Sequence, residues 1–332
     1  MNPGDSRDQR SASAPTQARN LVLTGFMGTG KTQIGQEVAR RLGRHFVDMD
    51  AEIEARTGKA IPRIFAEDGE DAFRVMEADL CQELGSQTGR VIATGGGALL
   101  SAANREAMMR KGIVVCLTCG ADEIQRRLSE GSAAIRPLLE VPDPRAEIER
   151  LLAARQETYV AIPWQIDTTS SSVDGVVERV IQLANVATLR VAHPGGEYPI
   201  HLGEGLLSHV GGALRASGAI QGSRVALVSN PVVEPLYGAH LREALSRAGY
   251  RPVTCIIPDG EEHKTLDTVA KLYDRFLDDG LDRSGGVISL GGGVTGDIAG
   301  FAAATFMRGV PFVQVPTTLL SMVDASVGGK VG

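Results

Sequence analysis

Apolar and polar positions along this chain follow two periods in turn. Residues 21–23 form a short, wholly apolar run; after a polar interval, Ile34, Val38, Ala39 and Leu42 recur at helical spacing on one side. The same alternation continues. Strand-type runs are expected at 45–50, 91–94, 113–118 and 165–168. Helical patterns are expected at 61–65, 70–84, 102–110, 121–128, 143–160 and 173–186. A hairpin is expected next, from 188–191 and 198–202 around Pro194, Gly195 and Gly196, followed by a helical stretch over 203–215. Strands at 224–230, 252–257, 286–290 and 311–315 then alternate with helices at 232–248, from 264 to 279, and 298–306. Alternating β and α elements with apolar strands imply parallel sheets covered on both faces, the α/β class. Two series predict two domains, 19–186 and 187–332. Residues 1–18, rich in Ser, Ala, Arg and Asp, are expected to form a disordered tail.

The interval after the first run reads Gly25-Phe26-Met27-Gly28-Thr29-Gly30-Lys31-Thr32. Gly-x-x-x-x-Gly-Lys-Thr between a strand and an amphipathic helix is the full context of a phosphate-binding P-loop. Glycines let bare backbone wrap a phosphate, whose charge meets exposed N–H groups and a helix N-terminus. Lys31 is expected to reach the β- and γ-phosphates, and the Thr32 hydroxyl to hold Mg²⁺. An ordinary glycine turn is the bland alternative.

Asp48 and Asp50 close the second expected strand. One carboxylate suits metal-bound water and the other a hydroxyl proton; a helix cap is the alternative for Asp50. Arg74 and Glu77 lie three apart on a helix, either as a surface ion pair or as an arginine fork held for a carboxylate. Gly95, Gly96 and Gly97 end the third strand, bringing bare backbone close to a ligand. Arg136 follows a loose segment, 129–134, that reads as a lid closing on phosphates.

Together, Gly25 to Thr32, Asp48-x-Asp50, Phe73-Arg74-x-x-Glu77, Gly95-Gly96-Gly97, Arg136-Pro137-Leu138-Leu139 and Arg155 before Tyr159 make residues 19–186 resemble shikimate kinase, a nucleoside-monophosphate-kinase-like P-loop fold. The resemblance implies phosphorylation of the shikimate 3-hydroxyl by ATP with Mg²⁺, in the pathway to chorismate and aromatic amino acids. It implies ATP contacts from Met27, Gly28, Thr29, Gly30, Lys31, Thr32 and Arg136. Shikimate would be bound by Asp50, Arg74, Gly96 and Arg155. Thr32 and Asp48 would hold the metal; Lys31, Asp50 and Arg136 would carry catalysis. The segment Gly131-Ser132-Ala133-Ala134 is less basic than in many relatives, and Ser170-Ser171-Ser172 stands where a purine-side arginine is common.

In the second series, Pro258-Asp259-Gly260-Glu261-x-x-Lys264 enters a helix, and Gly291 to Asp297 is a glycine turn opening another. Glu261 and Lys264 have a bland alternative as cap and solvated surface. With Pro316-Thr317-Thr318-Leu319-Leu320 and Val323-Asp324-x-Ser326-Val327-Gly328-Gly329-Lys330, these segments resemble the Rossmann-like N-terminal domain of 3-dehydroquinate synthase. The resemblance implies NAD contacts from Asp259, Gly260, Glu261, Glu262, His263, Lys264, Gly293, Val294, Thr295, Gly296, Asp297, Thr317, Thr318 and Lys330, with Asp324 on the substrate side. It also implies a zinc-type divalent metal on one Glu and two His in a helical domain. None of His45, His193, His201, His209, His240 and His263 falls in a ligand pattern, so that metal is expected to lie outside this chain and the synthase part to be incomplete.

A net charge of −6 over 332 residues argues against a general nucleic-acid binder, and no apolar run approaches a membrane span. Cytoplasmic residence is expected from the sparse cysteines, Cys81, Cys116, Cys119 and Cys255. Cys116 and Cys119 form a lone C-x-x-C. Strand alternation would turn their sulfurs to opposite faces, so core packing is expected instead of metal binding. Shikimate and ATP are the expected partners, with self-association through the second domain. Rival readings are another P-loop kinase such as gluconate kinase, a non-catalytic nucleotide module, and a full bifunctional enzyme.

Overall fold

The computed structural model describes residues 19–130, 143–193 and 196–329. The expected tail at 1–18, the Arg136 segment, Pro194, Gly195 and Lys330 lie outside them.

The first sheet contains β1 (Asn20–Gly25), β2 (His45–Asp48), β3 (Arg90–Ala93), β4 (Gly112–Thr118) and β5 (Trp164–Asp167), in the parallel order β2-β3-β1-β4-β5. Side chains on its strands alternate between two cores. Leu21 and Leu23 of β1 join Ile113, Val115 and Leu117 of β4 under α1 (Lys31–Leu42) and α8 (Val173–Ala184). Val22, Val114 and Cys116 face the other way, against α2 (Met49–Thr57), α3 (Ile61–Glu67), α4 (Gly69–Ser86), α5 (Ala102–Arg110), α6 (Ala121–Glu130) and α7 (Pro144–Val160). Burial on both faces is why these strands are apolar throughout.

The expected opposition of Cys116 and Cys119 does not hold. Both are buried in the same core. The strand ends at Thr118, so alternation stops before Cys119. Burial pushes the Cys116 thiol up to about 12, as suits a small apolar side chain.

An antiparallel hairpin, β6 (Ala187–His193) and β7 (Gly196–Leu202), follows. The helix expected over 203–215 is shorter: a 3₁₀ turn at Leu206–His209 leads into α9 (Val210–Ser217), after Gly205 at φ 71° interrupts the run. The second sheet has the parallel order β11-β10-β8-β9, from β8 (Arg224–Ser229), β9 (Arg251–Ile256), β10 (Gly286–Gly291) and β11 (Phe312–Pro316). Helices α11 (Leu266–Asp278) and α12 (Gly293–Thr305) cover one face, while α9 and α10 (Ala239–Arg247) cover the other. The regular helix α12 begins five residues earlier than its apolar pattern suggests, within the glycine turn itself.

Candidate active site

In the first sheet, β1 is central and its neighbours β3 and β4 are reached in opposite directions, which opens a crevice at the carboxyl ends of the strands. The glycine loop after β1 and Gly95 to Gly97 after β3 stand side by side there. Thr94 Oγ1 donates to Thr24 Oγ1 at 3.0 Å, tying the two strand ends together. Gly25 adopts φ 134°, and a Cβ on it would stand 2.1 Å from the Leu117 carbonyl oxygen. Gly30, at φ 91°, precedes α1 without a side-chain cap, leaving the first N–H groups of the helix for an anion.

Lys31 Nζ donates to the carbonyls of Gly25 and Phe26, both at 3.0 Å, and so lies folded along the loop. Burial brings its ammonium down to about 8, against the pull of Asp50 and Asp48. Thr32 Oγ1 donates to Asp48 Oδ2 at 2.7 Å, which places both expected metal residues together. Asp48 ends β2 and caps α2, accepting from the Asp50 and Ala51 backbones. Asp48 is therefore the cap, and Asp50 sits in the first helical turn with its carboxylate free to face the crevice. Burial raises the Asp50 pKa, with Asp48 adding and Lys31 opposing.

Gly95 to Gly97 are glycines because charged side chains crowd them. A Cβ on Gly95 would stand 2.7 Å from both Asp50 Oδ1 and Glu77 Oε1, and one on Gly97 2.6 Å from Arg74 Nη1. Arg155 Nη1 and Tyr159 Oη donate to the Gly96 carbonyl at 3.0 and 3.2 Å. Arg155 also lies 5.1 Å from the Phe26 ring centre. Arg74 Nη1 donates to Glu77 Oε2 at 2.5 Å, and Nη2 to Glu70 Oε1 at 2.8 Å. Glu77 is only 2% exposed, so its pair with Arg74 is not a surface bridge. Burial raises the Glu77 pKa and Arg74 opposes it. The crevice thus gathers Lys31, Asp48, Asp50, Arg74, Gly96 and Arg155.

The sequence reading missed Arg127 and Thr168. Arg127 Nη1 donates to the Gly28 carbonyl at 3.3 Å and Nη2 to the Thr168 carbonyl at 2.6 Å, bracing the glycine loop from α6. No local pattern marks this arginine; its partners lie far away in sequence.

A second glycine-rich crevice lies at the carboxyl ends of β8, β9, β10 and β11. Asn230 Nδ2 donates to Asp259 Oδ1 at 2.8 Å. Lys264 Nζ donates to Asp297 Oδ2 at 2.9 Å, joining the loop after β9 to the first helical turns of α12. Gly292 precedes α12 without a side-chain cap, and Thr318 lies against it. Among the described residues Thr317 Oγ1 is buried without a hydrogen-bond partner. The exposed Glu262 and His263 side chains approach to 3.8 Å. The Val294 side chain packs partly against the core and Thr295 is buried against Gly291.

Comparison with known proteins finds two family matches along the chain. Residues 27–185 match the family model for shikimate kinase, and residues 254–332 the model for the 3-dehydroquinate synthase N-terminal domain. The 3-dehydroquinate synthase of Pelotomaculum thermopropionicum is 56% identical over 134 residues, 40% of this chain and 36% of that protein. The bifunctional shikimate kinase/3-dehydroquinate synthase of Thermotoga maritima is 34% identical over 314 residues, 93% of this chain and 57% of that protein. This chain therefore spans between 36% and 57% of the length of these two relatives. A shikimate kinase from Acinetobacter baumannii, solved in complex with shikimate, aligns with TM-score 0.47 at 38% identity, covering 50% of this chain and 92% of that one.

Proposed function

We propose, from the match of residues 27–185 to the shikimate kinase family model and of residues 254–332 to that of the 3-dehydroquinate synthase N-terminal domain, that the first domain transfers the γ-phosphoryl group of ATP to the 3-hydroxyl of shikimate. The observation that carries this reading is the convergence of Asp50, Glu77, Arg74 and Arg155 on Gly95 to Gly97, beside the phosphate loop. Arg74 and Arg155 supply planar donors for a carboxylate, the group that distinguishes shikimate from a neutral polyol. Asp50, with its pKa raised by burial, is suited to accept the proton of the attacking hydroxyl. Lys31 stays on the loop to meet charge that develops on the transferring phosphoryl group. Thr32 and Asp48 would hold Mg²⁺, which neutralises phosphate charge when bound; one hydroxyl and one carboxylate suit a cation that keeps waters and phosphate oxygens. Release of ADP from ATP and Mg²⁺ is the test. It should require shikimate and not be supported by gluconate; turnover with gluconate alone would overturn the assignment.

For the second domain we propose NAD binding between the Asp259 to Lys264 loop and the start of α12. The uncapped N–H groups after Gly292 fit a pyrophosphate, and the partnerless Thr317 hydroxyl fits a polar ligand atom. NAD accepts hydride when bound; Lys264 and Asp297 hold the two walls of the cleft together. Among the described residues no group of three or more His, Cys, Asp or Glu is placed to hold a metal ion, so the zinc-type metal implied by the resemblance finds no ligand set there. Leu319, Leu320 and Val323 are 76%, 72% and 68% exposed, which supports self-association through this domain; sedimentation at several concentrations tests it. No helix among the described residues is long and apolar enough to cross a membrane.

A further inference from the structure

Trp164, the single tryptophan of the chain, opens β5 at the outer edge of the first sheet. Edge positions usually meet solvent, yet Trp164 is only 7% exposed because the second domain covers it. The His201 and His209 rings stand edge-on to the indole, with ring centres 5.1 and 5.9 Å away. Leu206 packs onto the core that contains Trp164 and Val186. A Cβ on Gly212 of α9 would stand 2.6 Å from the Pro163 carbonyl oxygen, so backbone meets backbone there. Thr188 Oγ1 lies 3.0 Å from His201 Nδ1. Burial brings the His209 imidazole down to about 4, with Arg247 and Arg179 adding and the Gln165 backbone opposing; the seam is built around a neutral ring.

The other end of β5 reaches the phosphate loop. Thr168, just past the strand, accepts from Arg127 at both its hydroxyl, 3.1 Å, and its carbonyl, 2.6 Å. Arg127 also holds the Gly28 carbonyl, and the Thr168 hydroxyl lies 3.4 Å from the Thr29 carbonyl oxygen. A strand of four residues therefore touches the second domain at its first residue and the glycine loop just past its last.

We propose that this seam couples the two domains: docking of His201 and His209 on Trp164, and of Leu206 on the core around it, holds β5 in the register that braces the glycine loop, and nucleotide in the loop tightens the seam. The proposal rests on residues 25–32 being a nucleotide loop. Packed elements shift as units instead of deforming smoothly, so a strand fixed at both ends can carry a displacement between them. Binding coupling is reciprocal, so loosening the seam must weaken nucleotide binding by the same factor that nucleotide tightens the seam.

The test uses the whole chain, MgADP as probe and Trp164 emission as readout. Calorimetry first establishes MgADP binding; a chain that binds none refutes the nucleotide-loop reading and the coupling with it. Given binding, MgADP should change Trp164 emission saturably. His209→Gln and Leu206→Ala, each with native circular dichroism, should bind MgADP at least about fivefold more weakly, the lower end of typical coupling. Emission unchanged at saturating MgADP overturns the coupling while leaving the nucleotide loop intact. So does a smaller affinity change in either natively folded variant. The wild-type emission measurement decides the matter even where a variant fails to fold.

Discussion

Arg74 Nη1 and Glu77 Oε2 lie 2.5 Å apart, one turn apart on α4, with the glutamate side chain sealed from solvent and the arginine reaching into the crevice. Glu77 thereby fixes the orientation of the guanidinium. Glu77→Gln keeps the shape and loses the charge. The KM for shikimate should rise roughly tenfold, equivalent to about 1.4 kcal/mol, with the KM for ATP little changed. Steady-state kinetics with each substrate varied checks this; an equal rise in both would mean that Glu77 supports the fold generally.

Arg74→Lys asks whether the fork itself matters. A lysine offers a point charge and cannot make two parallel bonds to a carboxylate. Shikimate binding, measured by calorimetry, should weaken more than ATP binding. Loss of the same size for both ligands would make Arg74 structural.

Asp50→Asn removes the carboxylate proposed to accept the hydroxyl proton. Turnover should fall by about two to four orders of magnitude, the range typical of general-base removal. The wild-type acid limb of kcat/KM should fall above the ordinary carboxylate range, because burial raises the Asp50 pKa, and it should vanish in the variant. A variant within a few-fold of wild type would reduce Asp50 to a helix-terminus residue.

Lys31→Met separates catalysis from stability. Phosphoryl transfer should fall by about 10²- to 10³-fold or more, as when a charge-stabilising donor is removed. The folded-state pKa of Lys31 lies below its unfolded value, about 8 against 10.5, so burying the charge costs stability most fully below pH 8. Between those values the unfolded chain binds more protons, and wild-type stability rises with pH. The stability of wild type relative to Lys31→Met should therefore improve by up to about 3 kcal/mol across that window, read from urea unfolding without nucleotide. A flat difference would place the ammonium in water.

Gly25→Ala tests the loop geometry without touching any charged group. The new Cβ would meet the Leu117 carbonyl at 2.1 Å in a backbone region that alanine disfavours. Destabilisation of about 2 kcal/mol or more is expected from strain and overpacking, and thermal unfolding would show it. An unchanged midpoint would mean that the loop is free to move away from β4.

The sequence by itself determined what is local. Strand runs, helical faces, the phosphate loop and the two glycine crevices are contiguous patterns, because backbone geometry and the period of burial act over a few residues. Tertiary structure decided what depends on distant partners. It placed Cys119 in the same core as Cys116, because the strand stopped at Thr118. It made Asp48 the cap and left Asp50 facing the crevice. Arg127 braces Thr168 from 41 residues away, and Thr168 approaches Thr29 across 139. Trp164, an apolar residue like many others in the sequence, became the anchor between domains because the chain folded a second unit back over an exposed sheet edge. Such contacts follow from which surfaces meet after the elements form, and no periodicity along the chain encodes that meeting.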